Sequence, residues 1–155
     1  MTRLLTFIIT LFLISFTSSQ LFGQETNRVH KDSLIAIVEQ YYDLNLKVFQ
    51  KNSKPSDIDN IFNLFTEDFT YLHPKYGGEY SRENLYNGYI RNQKNGGYDG
   101  RIVDIKIVNR IAGMNALVIE KRFLKTTENG TQEGELEMTL FEFRKGKIFR
   151  IFEYW

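Results

Sequence analysis

The chain has 155 residues, enough for one domain with a core of its own, and its formal net charge is +1. It contains 20 Lys and Arg, 19 Asp and Glu, and no cysteine. With no basic surplus to neutralise phosphates, nucleic-acid binding is not expected. With no cysteine there is no disulfide, thiol nucleophile or lipidated cysteine, so stability must come from a core rich in its thirteen Phe and nine Tyr.

The first element is a leader. Arg3 precedes the uncharged apolar run LLTFIITLFLISF, Leu4 to Phe16, and TSSQLFG then supplies small residues before Gln24. That order predicts a secretory signal peptide over residues 1–23 and export to a periplasm or beyond the cell. The run falls short of the roughly 20 residues a spanning helix needs, so no membrane attachment is expected after cleavage. Gln24 to Lys31 is polar and reads as a flexible lead-in.

Asp32 then has the character of an N-cap. Leu34, Ile35, Val38, Tyr41, Tyr42, Asn45, Val48 and Phe49 recur at three- and four-residue spacing, which predicts a helix with one apolar face. NSKPS, Asn52 to Ser56, breaks it. A shorter second helix carries Ile58, Ile61, Phe62 and Phe65 on one side. EDFTYLH alternates as a strand, with Phe69, Tyr71 and His73 on one face. Pro74 to Tyr80 reads as a turn with two glycines, and Ser81 as the cap of a third helix ending at NGG, Asn95 to Gly97.

The second half reads as strands: Arg101 to Arg110, Asn115 to Thr126, Gly134 to Arg144 and Ile148 to Trp155. Asn129-Gly130 is a strong hairpin signal between the second and third, and KGK a tight turn before the last. The class is α+β, with helices packed on one face of a curved antiparallel sheet.

The words VEQYYDLN, IFNLFTEDFTYLHP and GKIFRIFEYW, in this order and spacing, resemble the nuclear transport factor 2-like superfamily. The nearest pattern is its SnoaL-like and ketosteroid-isomerase-like branch; the likeness covers roughly Ser33 to Trp155, within a domain read as 32–155. The resemblance implies a cone in which three N-terminal helices pack on the curved sheet and enclose a pocket. It implies a homodimer, and members that include isomerases, cyclases, dehydratases and non-catalytic binding domains.

The resemblance also assigns candidate residues. His73 stands where isomerase-like members carry a carboxylate base at the end of the first strand, before a proline. An imidazole there can accept a proton near neutral pH. Tyr41 matches the tyrosine that donates to a developing oxyanion. The position of the pattern's protonated aspartic acid falls nearest Thr139, so that donor is missing or weakened and steroid isomerisation is disfavoured. If Trp155 faces the cavity as its counterpart does, alternation along the last strand turns Glu153, Ile151 and Phe149 inward with it. Arg122 would pair with Glu153 or clamp an anion if its strand face is the inner one, and Tyr71 would line the wall.

Each residue has a plainer reading. His73 is also consistent with a solvated turn residue, Tyr41 and Trp155 with core packing, Glu153 and Arg122 with an outer-face or structural pair, and the Asn129 sequon with its hairpin. No ligand spacing points to a metal, and no cofactor is expected. Three functional expectations result: binding of a small, largely apolar or aromatic molecule; an isomerase- or dehydratase-like, metal-free proton transfer using His73, Tyr41 and Glu153; or a non-catalytic dimerisation module.

Overall fold

A computed structural model describes residues 27–155. The expected signal segment lies outside the described residues. The compact unit that carries the site runs from Leu34 to Trp155.

Helix α1 is described from residue 27 to residue 48, so it is already under way at Asp32, which is not its N-cap. Residues 27–31, expected as lead-in, are helical. From Leu34 onward its apolar face follows the predicted spacing: Leu34, Val38, Tyr41, Tyr42, Asn45 and Val48 are buried. Helix α2, Pro55–Phe62, starts on Pro55 because a first-turn proline lacks an N–H that would have gone unpaired anyway. It buries Ile58, Ile61 and Phe62. Phe65, expected on this helix, instead opens strand β1, Phe65–His73.

Proline has no N–H to extend a sheet ladder, and β1 ends immediately before Pro74. A single 3-10 turn, Pro74–Tyr76, is closed by Gly77 at φ 111°. That left-handed conformation suits glycine, and it sends the chain back antiparallel to β1 as strand β2, Gly78–Ser81. This short strand occupies part of the predicted turn. Helix α3, Arg82–Lys94, is capped as expected: the Ser81 hydroxyl accepts a hydrogen bond from the Asn84 N–H.

Five strands follow: β3 (Ile102–Ala112), β4 (Ala116–Thr127), β5 (Gly130–Glu133), β6 (Glu137–Arg144) and β7 (Lys147–Glu153). The Asn-Gly turn forms its hairpin, but with the short β5, which precedes Gly134; the strand expected from Gly134 to Arg144 is β6 and begins only at Glu137. The sheet order is β2-β1-β7-β6-β4-β3, with β5 on β4. The meander returns to β1 running in the same direction, so β1 and β7 pair in parallel and the sheet is mixed rather than antiparallel.

Three helices thus pack on a curved, unclosed sheet, and the α+β class holds. Their shared core is aromatic. Phe65 and Phe69 stack at 3.9 Å, and Phe141 meets Tyr41 and Tyr42 edge-on at 5.5 and 5.8 Å. Among the described residues no helix is long and apolar enough to cross a membrane.

Candidate functional site: an aromatic pocket with a buried ion triad

Where the helices stop filling the sheet, a pocket of about 370 Å³ remains. Its wall is built from Tyr41, Tyr42 and Phe49 of α1, Tyr71 of β1, Tyr76 after it, Tyr89 of α3, Phe123 of β4 and Trp155. Polar groups enter from three neighbouring strands: Lys121 on β4, Glu137 on β6 and Glu153 on β7. Sheet register explains their meeting. Lys121 pairs with Glu137 across β4–β6, and Thr139 with Glu153 across β6–β7, so all four side chains project from one patch of the inner face.

Their bonding is specific. Thr139 Oγ1 accepts a hydrogen bond from Lys121 Nζ at 2.7 Å and donates to Glu153 Oε2 at 2.6 Å. The same carboxylate oxygen accepts from Lys121 Nζ at 3.3 Å and from the Trp155 indole N–H at 2.7 Å. Lys121 is only 2% exposed, so its charge depends on these partners. Glu137 Oε2 lies 3.3 Å from the same ammonium. It is nonetheless buried with no hydrogen bond to any described residue. Burial raises the Glu137 pKa, against the lowering effect of Lys121. Glu153 Oε2 thus takes three donors, while Glu137 Oε2 takes none from a described residue.

The tyrosines complete the site. Burial raises the pKa of Tyr41, Tyr71 and Tyr89, helped by the Glu153 charge, so they stay protonated at neutral pH. Tyr89 donates to Asn45 Oδ1 at 2.9 Å, and the Asn45 amide donates back to the Tyr41 carbonyl at 2.8 Å. This fixes the α1–α3 side of the wall.

His73 stands one layer behind. It is 3% exposed and packs on Tyr76 at 4.4 Å and Trp155 at 4.5 Å, and it is not among the residues that line the pocket. Both ring nitrogens are buried without a hydrogen-bond partner among the described residues. Burial lowers its pKa; the Glu153 charge acts the other way. It is therefore not the solvated turn residue of the plainer expectation, and it backs the lining rings of Tyr76 and Trp155.

The structure brings Tyr41, Tyr71, Glu153 and Trp155 together as expected and separates the others. Arg122 is on the opposite face of β4, donating to the Gly134 carbonyl at 2.8 Å, because Leu117, Ile119 and Lys121 take the inner positions. Ile151 is fully buried in the core beneath the pocket without lining it. Phe149 is turned outward. The β6–β7 register slips between Phe143↔Ile148 and Glu142↔Arg150, making Phe149 an extra, bulged residue. Its ring lies between Arg144 and Arg150, 3.9 and 4.9 Å from their guanidinium carbons. The residues missed were Lys121 and Glu137. Both share the parity of the more apolar positions on their strands, Leu117, Ile119 and Phe123 on one and Phe141 and Phe143 on the other.

A wider groove of about 580 Å³ runs along α2, α3 and β1. Tyr86 donates to Asp59 at 2.8 Å there and Arg82 to the Phe62 carbonyl at 3.1 Å, while Arg82 Nε is buried without a hydrogen-bond partner among the described residues. It encloses no buried ion cluster, so its greater volume does not make it the better candidate.

This is the fold of the nuclear transport factor 2-like superfamily. Among solved structures, the chain is similar to an M. tuberculosis LEH-like epoxide hydrolase, at 18% identity and TM-score 0.56, covering 80% of this chain and 83% of that one. It is similar to a putative polyketide cyclase from Xanthomonas campestris pv. campestris, at 16% identity and TM-score 0.53, covering 81% and 92%. A third is a protein with a ketosteroid isomerase-like fold from Catenulispora acidiphila DSM 44928 in complex with trimethylamine, at 18% identity and TM-score 0.53, covering 77% and 84%. No protein-family model and no curated protein matches the chain.

Proposed function

We propose that this chain is an exported SnoaL-like domain that binds a small, largely apolar or aromatic molecule in the pocket. The observation that carries this is the pairing of eight aromatic side chains with a half-buried acid, Glu137, whose Oε2 is buried without a hydrogen bond from a described residue. Such a lining favours an apolar body and fixes it by few polar contacts. The neighbours described as an epoxide hydrolase and a polyketide cyclase are consistent with small-molecule chemistry on this fold. Trp155 is the sole tryptophan and sits in the wall, so its fluorescence reports occupancy directly. Titration with small aromatic and alicyclic compounds should shift its emission saturably. A panel that leaves both the emission and the melting temperature unchanged would sink the reading.

A catalytic reading rests on the same acid. A carboxyl with a raised pKa inside a pocket is suited to transfer a proton, and Glu137 rather than His73 is placed to touch a substrate. Product formation lost in Glu137→Gln, with ligand binding retained, is the result it requires.

The assembly reading rests on the outer face of the sheet. Leu72, Phe152, Leu140, Val118 and Ile111 are successive cross-strand neighbours and form one apolar row over five strands. A second copy laid on this row is the homodimer we propose, checked by light scattering.

A further inference from the structure

We infer that the pocket selects a cationic ligand: an amine carried on an apolar or aromatic body, with its nitrogen directed at Glu137. This rests on the binding reading and names the ligand class. Three charged groups line the inner end of the pocket, one ammonium, Lys121, and two carboxylates, Glu137 and Glu153. The ammonium is tied to Glu153 both directly and through Thr139, and Trp155 adds a third donor to that carboxylate. One carboxylate is thereby compensated.

Glu137 keeps only an ion contact with an ammonium already committed elsewhere, and its Oε2 accepts no hydrogen bond from a described residue. A buried acceptor in that condition gains most from a ligand that brings both a donor and a positive charge. The wall supports the same sign. Lys121 Nζ already lies over the Phe123 and Trp155 rings, at 5.4 and 5.7 Å, and Tyr41, Phe49, Tyr71 and Tyr76 add further aromatic wall, a setting whose ring quadrupoles favour positive charge. Lys125, the other cation of the lining, is exposed at the end of β4, where solvent screens it. An anionic ligand would meet the carboxylates of buried Glu153 and half-buried Glu137.

The groups facing Glu137 are Lys121 and Lys125 from β4 and Glu153 from β7, with the protonated hydroxyls of Tyr42 and Tyr71 nearby. Burial keeps its carboxyl protonated above the usual range, so amine affinity should fall as the pH is lowered through that carboxyl's titration. A simple alkylamine, with a pKa of about 10, stays charged throughout.

The test is calorimetric titration of the chain with cyclohexylmethylamine, cyclohexylmethanol and cyclohexanecarboxylate at pH 8 and pH 5. The expected result at pH 8 is an amine at least ten-fold tighter than the alcohol, with the carboxylate weakest. The amine preference should shrink at pH 5 and fall within about two-fold in Glu137→Gln. Equal or tighter binding of the alcohol or the carboxylate overturns the cationic assignment while leaving the binding reading intact. An amine preference that survives both Glu137→Gln and pH 5 also overturns it. Absence of binding by all three compounds counts against both readings. If Glu137→Gln does not fold, the pH dependence in the unaltered chain decides.

Discussion

Thr139 and Glu153 face each other across β6 and β7 with 2.6 Å between hydroxyl and carboxylate oxygens, and Lys121 closes the group from β4. The hydroxyl relays between the two charges, since it can accept from the ammonium and donate to the carboxylate at once. A pair buried to this depth is costly to halve. Lys121→Ala leaves two carboxylates without a buried counter-charge and should destabilise the fold by about 3–5 kcal/mol. Thr139→Val removes the relay and should cost about 1–3 kcal/mol. Urea unfolding near neutral pH measures both. A Lys121→Ala midpoint equal to that of the unaltered chain would show that the triad contributes nothing to stability.

His73 gives a pH dependence of defined sign. Its folded-state pKa is lowered, chiefly by burial, so the unfolded chain binds the proton more readily. The stability it contributes is complete above the unfolded value of about 6.5 and is lost as the pH falls from there toward the folded value, by at most about 1.4 kcal/mol per pH unit. Ring-proton NMR should place the His73 midpoint below about 6.5. The difference in stability between pH 7.5 and pH 5.5 should be smaller in His73→Gln than in the unaltered chain. The same difference in both proteins would mean that the acid sensitivity arises elsewhere.

Much of this site could be read in the sequence, and the failures have physical causes. The proline after His73 and the aromatic helix around Tyr41 are local signals, and both hold. An Arg122–Glu153 pair requires Arg122 on the inner face of β4, whereas Leu117, Ile119 and Phe123 occupy the other parity. Burial outweighed charge pairing, and Lys121 rather than Arg122 came inside. Phe149 illustrates a different limit. Strict alternation from Trp155 turns it inward, but one bulged residue inverts the parity beyond it, and nothing local in KIFRIFE marks the bulge. The parallel β1–β7 pair is a long-range choice that no window of residues records.

These corrections make the ligand site separable by mutation. Arg122→Ala and Phe149→Ala alter side chains outside the pocket, so they should leave the affinity of any pocket ligand within about two-fold, the range of a distant surface change. Phe123→Ala and Tyr71→Ala remove parts of the wall and should weaken it by ten-fold or more. Trp155 emission serves as the readout for all four. Loss of affinity in Arg122→Ala, with Phe123→Ala unaffected, would place the ligand somewhere other than this pocket.

The apolar row on the outer face predicts an association that depends on one ring. Phe152 lies inside it, between Leu72 and Leu140, and stacks on Tyr154 at 4.2 Å. Glu142, Arg150 and Glu120 flank the row on neighbouring outward positions, together with Ala116 and Met138, so charged and apolar side chains alternate around it. Phe152→Lys places a charge inside the row. If the row joins two copies, light scattering should show a dimer that becomes a monomer in Phe152→Lys, with far-UV circular dichroism unchanged. An unaltered chain that stays monomeric at 100-fold the concentration used for binding would leave the row without this role. A dimer that survives Phe152→Lys would move the interface to another surface. Because the row and the pocket lie on opposite faces of the sheet, dissociation should leave pocket affinity unchanged, and a joint loss would mean that the sheet's curvature depends on the partner.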